Sequence, residues 1–407
     1  MTIWYSDTEA CGIAPDWVNR LDDLLPNTES YDVSLHDIVN SIRNGIQLTH
    51  EQGMLLWDYP DLSIIAHLAS SSKKARYGDD VFYNSNLHVN QTNICTLACK
   101  FCAFRRGVKS KEAYALDISE FIDRIIPYEH VIDEVHAVGG LHPDWDVNHY
   151  EKLFSTIKQR FPNIHIKSLS AVEIKHIAEV SGISSSDLLT RLNRSGLDSL
   201  PGGGAEILDD NIRDMICNGK ESSDEYITIH HAAHMIGIPT NCTMLFGTIE
   251  SVEQRIAHLC KLRDLQSITK GFQCFVPYPY LPDNSRLPEA QLSSANEILR
   301  MISISRLMLD NIPHIKAYRM NIGDDLTELS LNHGADDIDG TVGHEEIMHQ
   351  AGSDSVLDYT KNQLSNFIID ANGRPVQRNS VYTKFNHTDD DDEYGIQLPI
   401  SKMVVVD

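Results

Sequence analysis

The 407-residue sequence lacks long apolar runs and is poor in basic residues. No apolar stretch approaches the ~20 residues that a membrane-spanning helix needs, so a transmembrane protein is not expected. Lys and Arg number 34 against 58 Asp and Glu, a formal charge of −24 at pH 7. This sign disfavours nucleic acid as a partner, because phosphates are bound by cationic surfaces. The sequence starts without a basic segment followed by an apolar one, which favours a cytoplasmic protein.

Cysteine is also sparse, and its distribution argues against two common roles. The chain has 8 cysteines, of which five stand alone in the sequence. Disulfides are not expected in a chain of this length without a secretory signal. A structural zinc site takes four ligands, usually as two cysteine pairs, and no second pair is present. The isolated residues are Cys11, Cys217, Cys242, Cys260 and Cys274.

The other three cysteines, Cys95, Cys99 and Cys102, form a C-x3-C-x2-C pattern with Phe101 just before the third. Three thiolates within eight residues are a metal-site spacing. An iron–sulfur cluster usually takes four cysteines, so three leave one iron open for another ligand. An open position is typical of a catalytic centre. A non-catalytic iron–sulfur or zinc protein stays as the alternative.

The pattern of apolar residues predicts an α/β protein. Residues 33–42 and 62–68 have helical spacing, with Asp61 as a candidate N-cap. Beyond them, short strand-like runs alternate with longer helical ones, as in repeated βα units. The strand-like runs are residues 81–84, 87–90, 134–138, 164–169, 199–200, 239–245, 271–276 and 315–318. The helical candidates are residues 150–160, 184–195, 222–236, 252–265 and 295–310.

Eight strand-like runs separated by helices predict a complete or near-complete (β/α)8 TIM-type barrel with an N-terminal helical extension and an irregular C-terminal tail. We expect the extension to cover residues 1–75, the barrel residues 76–354 and the C-terminal extension residues 355–407. The run Asp389 to Glu393 is acidic. Such a block of like charge is expected to be solvated and mobile.

In a barrel of this type, the chemistry lies on the loops that follow the strands. Gly139 and Gly140 follow one strand and allow the main chain to approach a ligand closely. His142 could contact a substrate or cap its loop. Glu173 offers a carboxylate that could bind a cofactor or simply start a helix. The run Pro201 to Glu206 contains three consecutive glycines, whose lack of side chains predicts room for a bulky ligand.

Two polar residues of a predicted barrel strand are further candidates. Asn241 and Thr243 alternate with apolar residues, so both point to the same side of the strand. They could bind a carboxylate or a sugar, or they could satisfy each other's hydrogen bonds. No nucleophile elbow is found, so hydrolase chemistry has no support.

The cysteine loop resembles the radical S-adenosylmethionine (SAM) superfamily, whose signature is C-x3-C-x-aromatic-C. The resemblance implies a 4Fe–4S cluster held by Cys95, Cys99 and Cys102, with SAM on the open iron. It also implies a reducing electron donor such as flavodoxin or ferredoxin, and a small-molecule substrate. The residues implied to contact the cofactor are Phe101, Gly139, Gly140 and Glu173.

Further stretches resemble the radical SAM enzymes of the futalosine route to menaquinone, particularly the aminofutalosine synthases. These are residues 88–104, 134–143, 200–207, 309–313 and 334–341. The resemblance implies addition of the 5′-deoxyadenosyl radical to 3-[(1-carboxyvinyl)oxy]benzoate, which forms 6-amino-6-deoxyfutalosine. The sibling cyclic dehypoxanthine futalosine synthases, which abstract hydrogen, are the alternative. Candidates for the substrate contacts are His142, Asn241, Thr243 and Arg319.

Overall fold

The computed structural model describes residues 11–387, so the acidic run Asp389 to Glu393 lies outside the described residues. The first of the described residues form helices, as the apolar spacing predicts. Thr49 and Gln52 form a capping box at the start of the third helix, and Asp61 caps the fourth by accepting from Ser63 N. These helices are α1 (Trp17–Leu24), α2 (His36–Arg43), α3 (His50–Asp58) and α4 (Leu62–Tyr77).

Strands and helices then alternate along the chain. The first half of this region contains β1 (Asp80–Tyr83), β2 (Asn86–His88), α5 (Ile118–Ile125), β3 (Glu134–Ala137), α6 (Val147–Arg160), β4 (His165–Ser168), α7 (Ala171–Ser181), α8 (Ser185–Ser195), α9 (Asp210–Cys217) and α10 (Ser223–Met235). The second half contains β5 (Thr240–Phe246), α11 (Val252–Thr269), β6 (Phe272–Pro279), α12 (Ala295–Met308), β7 (His314–Ala317), α13 (Arg319–Leu331), β8 (Asp337–Ile338) and α14 (Ile347–Gln350).

Parallel pairing connects eight positions in a ring. β2, β3 and β4 form one sheet, and β5, β6, β7, β8 and β1 follow one another in a second. Single bridges from Lys167 to Ser199 and from Leu200 to Thr240 join the two sheets. β1 pairs with β8 and leads directly into β2, so the contacts run around the whole ring. This is the topology of the predicted (β/α)8 barrel.

The ring differs from the sequence prediction at one position. β1 and β2, predicted as two barrel strands, together occupy one place, with β8 on one side and β3 on the other. The eighth place belongs to β8, which the sequence pattern does not predict. β8 has only two residues, and one of them is Asp337, so the sequence shows no run of apolar residues from which a strand could be predicted.

The C-terminal region is more regular than the expected irregular tail. It contains α15 (Lys361–Asp370), β9 (Arg374–Arg378) and β10 (Phe385–His387). β9 pairs in parallel with β1, and β10 pairs antiparallel with β9. The order of this region comes from pairing with a strand almost 300 residues earlier, which local sequence patterns do not reveal.

Paired charges fill the lower part of the barrel, near the start of the strands. Lys167 Nζ lies 2.8 Å from Glu134 Oε2, and both side chains are buried. Asp337 accepts hydrogen bonds from Lys316 and Arg378. Buried charges persist only when they are paired in this way, so this end of the barrel is closed by ion pairs. Within residues 11–387, no helix is both long enough and apolar enough to span a bilayer.

Candidate active site

The cysteine loop follows β2 and is held by main-chain hydrogen bonds. Cys95 N donates to Arg106 O at 3.0 Å, and Arg106 N donates to Asn93 O at 2.7 Å. Cys102 N donates to Cys99 O at 3.3 Å, which closes a tight turn. The three thiols are not engaged in disulfides, and all three residues are partly exposed. One short, anchored loop therefore presents three free thiols.

Two of the three thiols of this loop are strongly affected by burial. Burial raises the pKa of Cys99 and of Cys102 above the ordinary range for a thiol. Among the described residues, no three His, Cys, Asp or Glu side chains form a group arranged to hold a metal ion.

Two glycines bring a second loop against the cysteine loop. Gly140 N donates to Thr92 O at 2.7 Å. A Cβ on Gly140 would lie 2.2 Å from Ile94 O, and one on Gly139 would lie 2.8 Å from Thr92 O. No side chain fits at such distances. Only glycine allows this close approach of the two loops, whereas the sequence pattern predicts a close approach to a ligand.

Glu173 lies at the start of α7, and its carboxylate is 1% exposed. Oε1 accepts from Gln91 Nε2 at 3.0 Å and from Gly139 N at 3.1 Å. Oε2 accepts from Ser170 N at 2.7 Å and from Ser170 Oγ at 2.6 Å. Burial raises the pKa of Glu173 to about 7, although these hydrogen bonds act in the opposite direction. Glu173 is therefore not an exposed glutamate, but it does start the helix, because Ser170 and Glu173 form a capping box.

The raised pKa of Glu173 predicts a specific pH dependence of stability. Because the pKa rises from 4.5 to about 7 on folding, the stabilising contribution is complete below about pH 4.5 and is lost as the pH rises through 7. A Glu173→Gln variant has no such titration. We expect the native protein to lose on the order of 3 kcal/mol relative to this variant over that range. Urea denaturation of both proteins at several pH values measures the difference, and parallel curves would contradict the prediction.

A cavity of about 280 Å³ opens at the carboxyl ends of the strands. It brings together the cysteine loop, the paired glycines, Glu173 and the glycine-rich loop that follows residue 200. Its lining includes Phe101, Cys102, His136, Gly139, Glu173, Gly203, Gly204, Glu206, Lys220, Thr243, Tyr278, Asn321 and Met348.

Lys220 and Glu206 form a buried ion pair in the cavity wall. Lys220 Nζ donates to Glu206 Oε1 and lies 5.9 Å from the ring centroid of Phe101. Burial of the Lys220 ammonium lowers its pKa. The nearby carboxylates of Glu206 and Glu221 outweigh this effect and hold the pKa of Lys220 above its ordinary value. This pair is not predicted from the sequence. Glu206 stands in the glycine-rich stretch, whereas nothing near Lys220 in the sequence signals its role.

His136 is a second residue of the cavity that the sequence does not single out. Its ring lies 4.4 Å from that of His88, measured between centroids. Burial lowers the pKa of His136 to about 4. The cavity therefore contains a neutral imidazole at physiological pH. The strand-like run 134–138 could have indicated it, because its side chains alternate towards the barrel interior.

The four predicted substrate contacts lie in different places. Thr243 lines the cavity and donates to Gly202 O at 2.9 Å, whereas Asn241 is buried on the same strand outside the lining. His142 stacks on Trp145 in a surface loop. Arg319 is fully buried, donates to Val356 O at 2.8 Å and lies over the ring of Tyr359. The structure thus brings one of the four residues to the cavity.

The comparison with known proteins agrees with this site. Residues 89–262 match the Radical SAM superfamily, and residues 269–390 match the CofH/MqnC C-terminal region. The aminodeoxyfutalosine synthase of Streptomyces coelicolor is 37% identical, over 85% of this chain and 92% of that protein. The chain belongs to the radical SAM superfamily, in the group that contains the aminodeoxyfutalosine synthases.

Another curated relative and a solved structure are also similar to this chain. The cyclic dehypoxanthine futalosine synthase of the same organism is 34% identical, over 86% of this chain and 88% of that protein. Among solved structures, methylornithine synthase (PylB) superposes with a TM-score of 0.68 at 18% identity, over 83% of this chain and 96% of that chain. This likeness supports the barrel fold.

Radical SAM enzymes use a 4Fe–4S cluster and SAM as cofactors, as expected from the cysteine spacing. The residues present fit these groups. Three thiols stand on one loop, and the glycine pair removes side chains where that loop meets the cavity wall. A buried carboxylate, Glu173, lies at the same edge and lines the cavity.

Proposed function

We propose that this chain is an aminodeoxyfutalosine synthase, which joins the 5′-deoxyadenosyl group of SAM to 3-[(1-carboxyvinyl)oxy]benzoate. The observation that carries the proposal is the single cavity that joins the cysteine loop to Gly139, Glu173 and the glycine-rich loop. A cofactor held by the thiols would reach a substrate in the same enclosed space. Similarity to a synthase over most of both chains supports the choice of reaction.

Cys95, Cys99 and Cys102 would hold the cluster, and SAM would bind beside Gly139, Gly140 and Glu173. When bound, the reduced cluster and SAM supply the 5′-deoxyadenosyl radical. The carboxylate of Glu173 accepts four hydrogen bonds, from Gln91, Gly139 and Ser170. It would therefore act by holding the Gly139 loop and the start of α7 in place beside SAM.

The remaining cavity residues would place the alkene of the substrate next to that group. Radical addition depends on holding the two carbon atoms close together, which is an effect of proximity and orientation. Tyr278, Tyr280 and Leu281 provide apolar wall for an aromatic ring and exclude water. Lys220 is the cationic side chain among the described lining residues and is the candidate donor to a substrate carboxylate.

The choice between synthase and sibling cyclase depends on similarity more than on geometry. The two relatives from Streptomyces coelicolor, 37% and 34% identical, are close to equal. The stretch 334–341 is one of those that resemble the synthases. In the structure, Asp336 pairs with Arg306 and His314 inside the barrel, and Thr341 Oγ1 donates to Asn86 O at 2.7 Å. This stretch therefore builds the barrel and does not line the cavity.

The mass of the product tests the proposal. The chain is reconstituted anaerobically with iron and sulfide, reduced with dithionite, and incubated with SAM and 3-[(1-carboxyvinyl)oxy]benzoate. We expect methionine, one carboxylate released as bicarbonate or carbon dioxide, and an adduct that contains both the adenosyl and the benzoate parts. A parallel incubation replaces the benzoate with dehypoxanthine futalosine, the substrate of the sibling.

The two reactions leave different products. The synthase consumes the adenosyl group in the adduct, whereas hydrogen abstraction releases it as free 5′-deoxyadenosine. If 5′-deoxyadenosine accumulates with dehypoxanthine futalosine and no adduct forms with the benzoate, the synthase proposal is wrong and the cyclase is the better assignment.

A further inference from the structure

The charge of the cysteine region is opposite to that of the chain as a whole. The chain has a formal charge of −24, yet residues 81–111 contain no Asp or Glu. The same stretch contains five cations: Lys100, Arg105, Arg106, Lys109 and Lys111. A local excess of one sign on a surface of the other sign directs the approach of charged partners.

The structure exposes part of this positive charge beside the cysteine loop. Lys100, Lys109 and Lys111 are exposed, as is Arg286 from the loop after β6. We call these four residues the basic rim. None of the acidic side chains that the structure describes forms an ion pair with any of them. Val108, which directly precedes Lys109, is 63% exposed and adds an apolar contact point.

Hydrogen bonds tie the basic rim directly to the cysteine loop. Arg286 Nη2 donates to Ala98 O at 2.9 Å and to Cys99 O at 3.1 Å. The loop that carries Lys109 and Lys111 begins at Arg106, whose main chain bonds to Cys95 N and Asn93 O. A protein bound on the basic rim would therefore contact residues that are hydrogen-bonded directly to the cysteine loop.

Hydrogen bonds through Gln350 link the two parts of the basic rim. Arg106 Nη2 donates to Gln350 Oε1 at 3.3 Å, and Asn284 Nδ2 donates to Gln350 O at 2.9 Å. Gln350 thus connects the Lys109 loop with the segment that carries Arg286. Glu112, an acidic side chain at the edge of this loop, is neutralised by Arg106 at 2.6 Å.

We propose that the basic rim is the docking surface for an acidic one-electron carrier protein of the flavodoxin type. The inference rests on the proposed function, because a radical SAM centre needs an external reductant. One electron passes from the reduced flavin, which changes from hydroquinone to semiquinone, to the cluster held by the cysteine loop. The rest of the acidic chain repels such a carrier, so the rim determines where it binds. Electron-transfer encounters of this kind use small, transient interfaces.

Charge reversal on the basic rim tests the proposal. The Lys109→Glu/Lys111→Glu variant changes two exposed side chains outside the cavity. The control, Arg160→Glu/Lys270→Glu, makes the same change of charge at exposed residues that precede β4 and β6, at the opposite end of the barrel. Anaerobic stopped-flow absorbance follows reduction of the reconstituted cluster by flavodoxin hydroquinone.

At about 20 mM salt, we expect the rim variant to be reduced about tenfold more slowly than the native protein, since steering changes association rates by about 10 to 1,000-fold. At about 0.5 M salt the two rates should converge, because the screening length falls to a few ångströms. The control variant should be reduced at the native rate. Reduced methyl viologen, a small cation, should reduce the rim variant at least as fast as the native protein.

Three results would overturn the proposal. These are a native rate of the rim variant with flavodoxin at low salt, an equal slowing of the control variant, and an equal slowing with methyl viologen. Biolayer interferometry with oxidised flavodoxin and the chain without its cluster provides a second readout, which should show weaker binding of the rim variant. Neither measurement uses the product, so failure of the docking proposal is distinguishable from failure of the proposed function.

Discussion

A Cys99→Ala variant is expected to assemble no 4Fe–4S cluster. The cysteine loop offers three thiols, and each would hold one iron of the cluster. Removal of one leaves two iron atoms without protein ligands, which a loop of eight residues cannot replace. Iron and sulfide content after anaerobic reconstitution, together with the visible and electron paramagnetic resonance spectra, measures the effect.

Cys217→Ala is the matched control for this prediction. Cys217 ends α9 directly behind the cysteine loop, where Ile216 O accepts from Lys100 N at 2.7 Å. It is 2% exposed and packs in the core, so its loss removes a buried sulfur and no ligand. We expect full iron content in this variant. Full iron content in Cys99→Ala would instead disprove the ligand assignment.

The same spectra separate the radical enzyme from a non-catalytic metal protein. A bound cluster whose spectrum changes on addition of SAM supports an open iron. Zinc without visible absorbance, or a cluster indifferent to SAM, would count against radical chemistry. Cys260→Ala, which changes a lone cysteine on α11, serves as a second control and should leave the spectrum unchanged.

A Gly202→Ala variant is expected to lose roughly 3 kcal/mol or more of unfolding free energy. Gly202 has φ +84°, a conformation that costs an L-residue about 1–2 kcal/mol. A Cβ there would also lie 2.2 Å from Asn241 O and 2.8 Å from Cys242 N. Overpacking against backbone typically costs a further ~1–3 kcal/mol.

The loop around Gly202 has little freedom to relieve this contact. Gly202 O accepts from Tyr226 Oη at 2.7 Å and from Thr243 Oγ1 at 2.9 Å, and both donors are buried. A shift of the loop would leave these hydroxyl groups unpaired, at a cost of about 1–3 kcal/mol each. The neighbouring Gly203 and Gly204 line the cavity, so the same shift would disturb the site.

Gly182→Ala separates the two contributions at Gly202. Gly182 follows α7 with φ +64°, and nothing lies within 4 Å of the position that a Cβ would take there. Its substitution should cost only the conformational part, about 1–2 kcal/mol. Urea denaturation midpoints of the two variants measure the difference. Equal losses would show that the close contact with Asn241 does not matter.

Several features of the protein could be predicted from local sequence. The cysteine spacing predicted the three-thiol loop. The paired glycines predicted a close approach to a ligand, and the structure shows Gly139 and Gly140 close to the main chain of the cysteine loop. The alternation of strand-like and helical runs predicted the (β/α)8 fold. Each of these signals depends on residues within about one turn or one strand of each other, and the folded chain retains such short-range preferences.

Other features depended on residues far apart in the chain. β8 is recognisable only through its pairing with β1 and β7, and β9 only through its pairing with β1. Arg319 was a candidate for substrate binding because of its charge. In the structure its guanidinium instead donates to Val356 O and lies over the ring of Tyr359. A side chain's partners are chosen during tertiary packing, and its sequence neighbours do not reveal them.

The sequence by itself therefore determined the type of cofactor chemistry, because three thiols on a short loop are a local property. The tertiary structure decided which other side chains meet that loop. It buried Glu173 against Gly139, paired Lys220 with Glu206 beside Phe101, and placed Arg286 on the carbonyl groups of the cysteine loop. Burial and charge pairing between distant segments set these positions, since the cost of an isolated buried charge allows only arrangements in which partners meet.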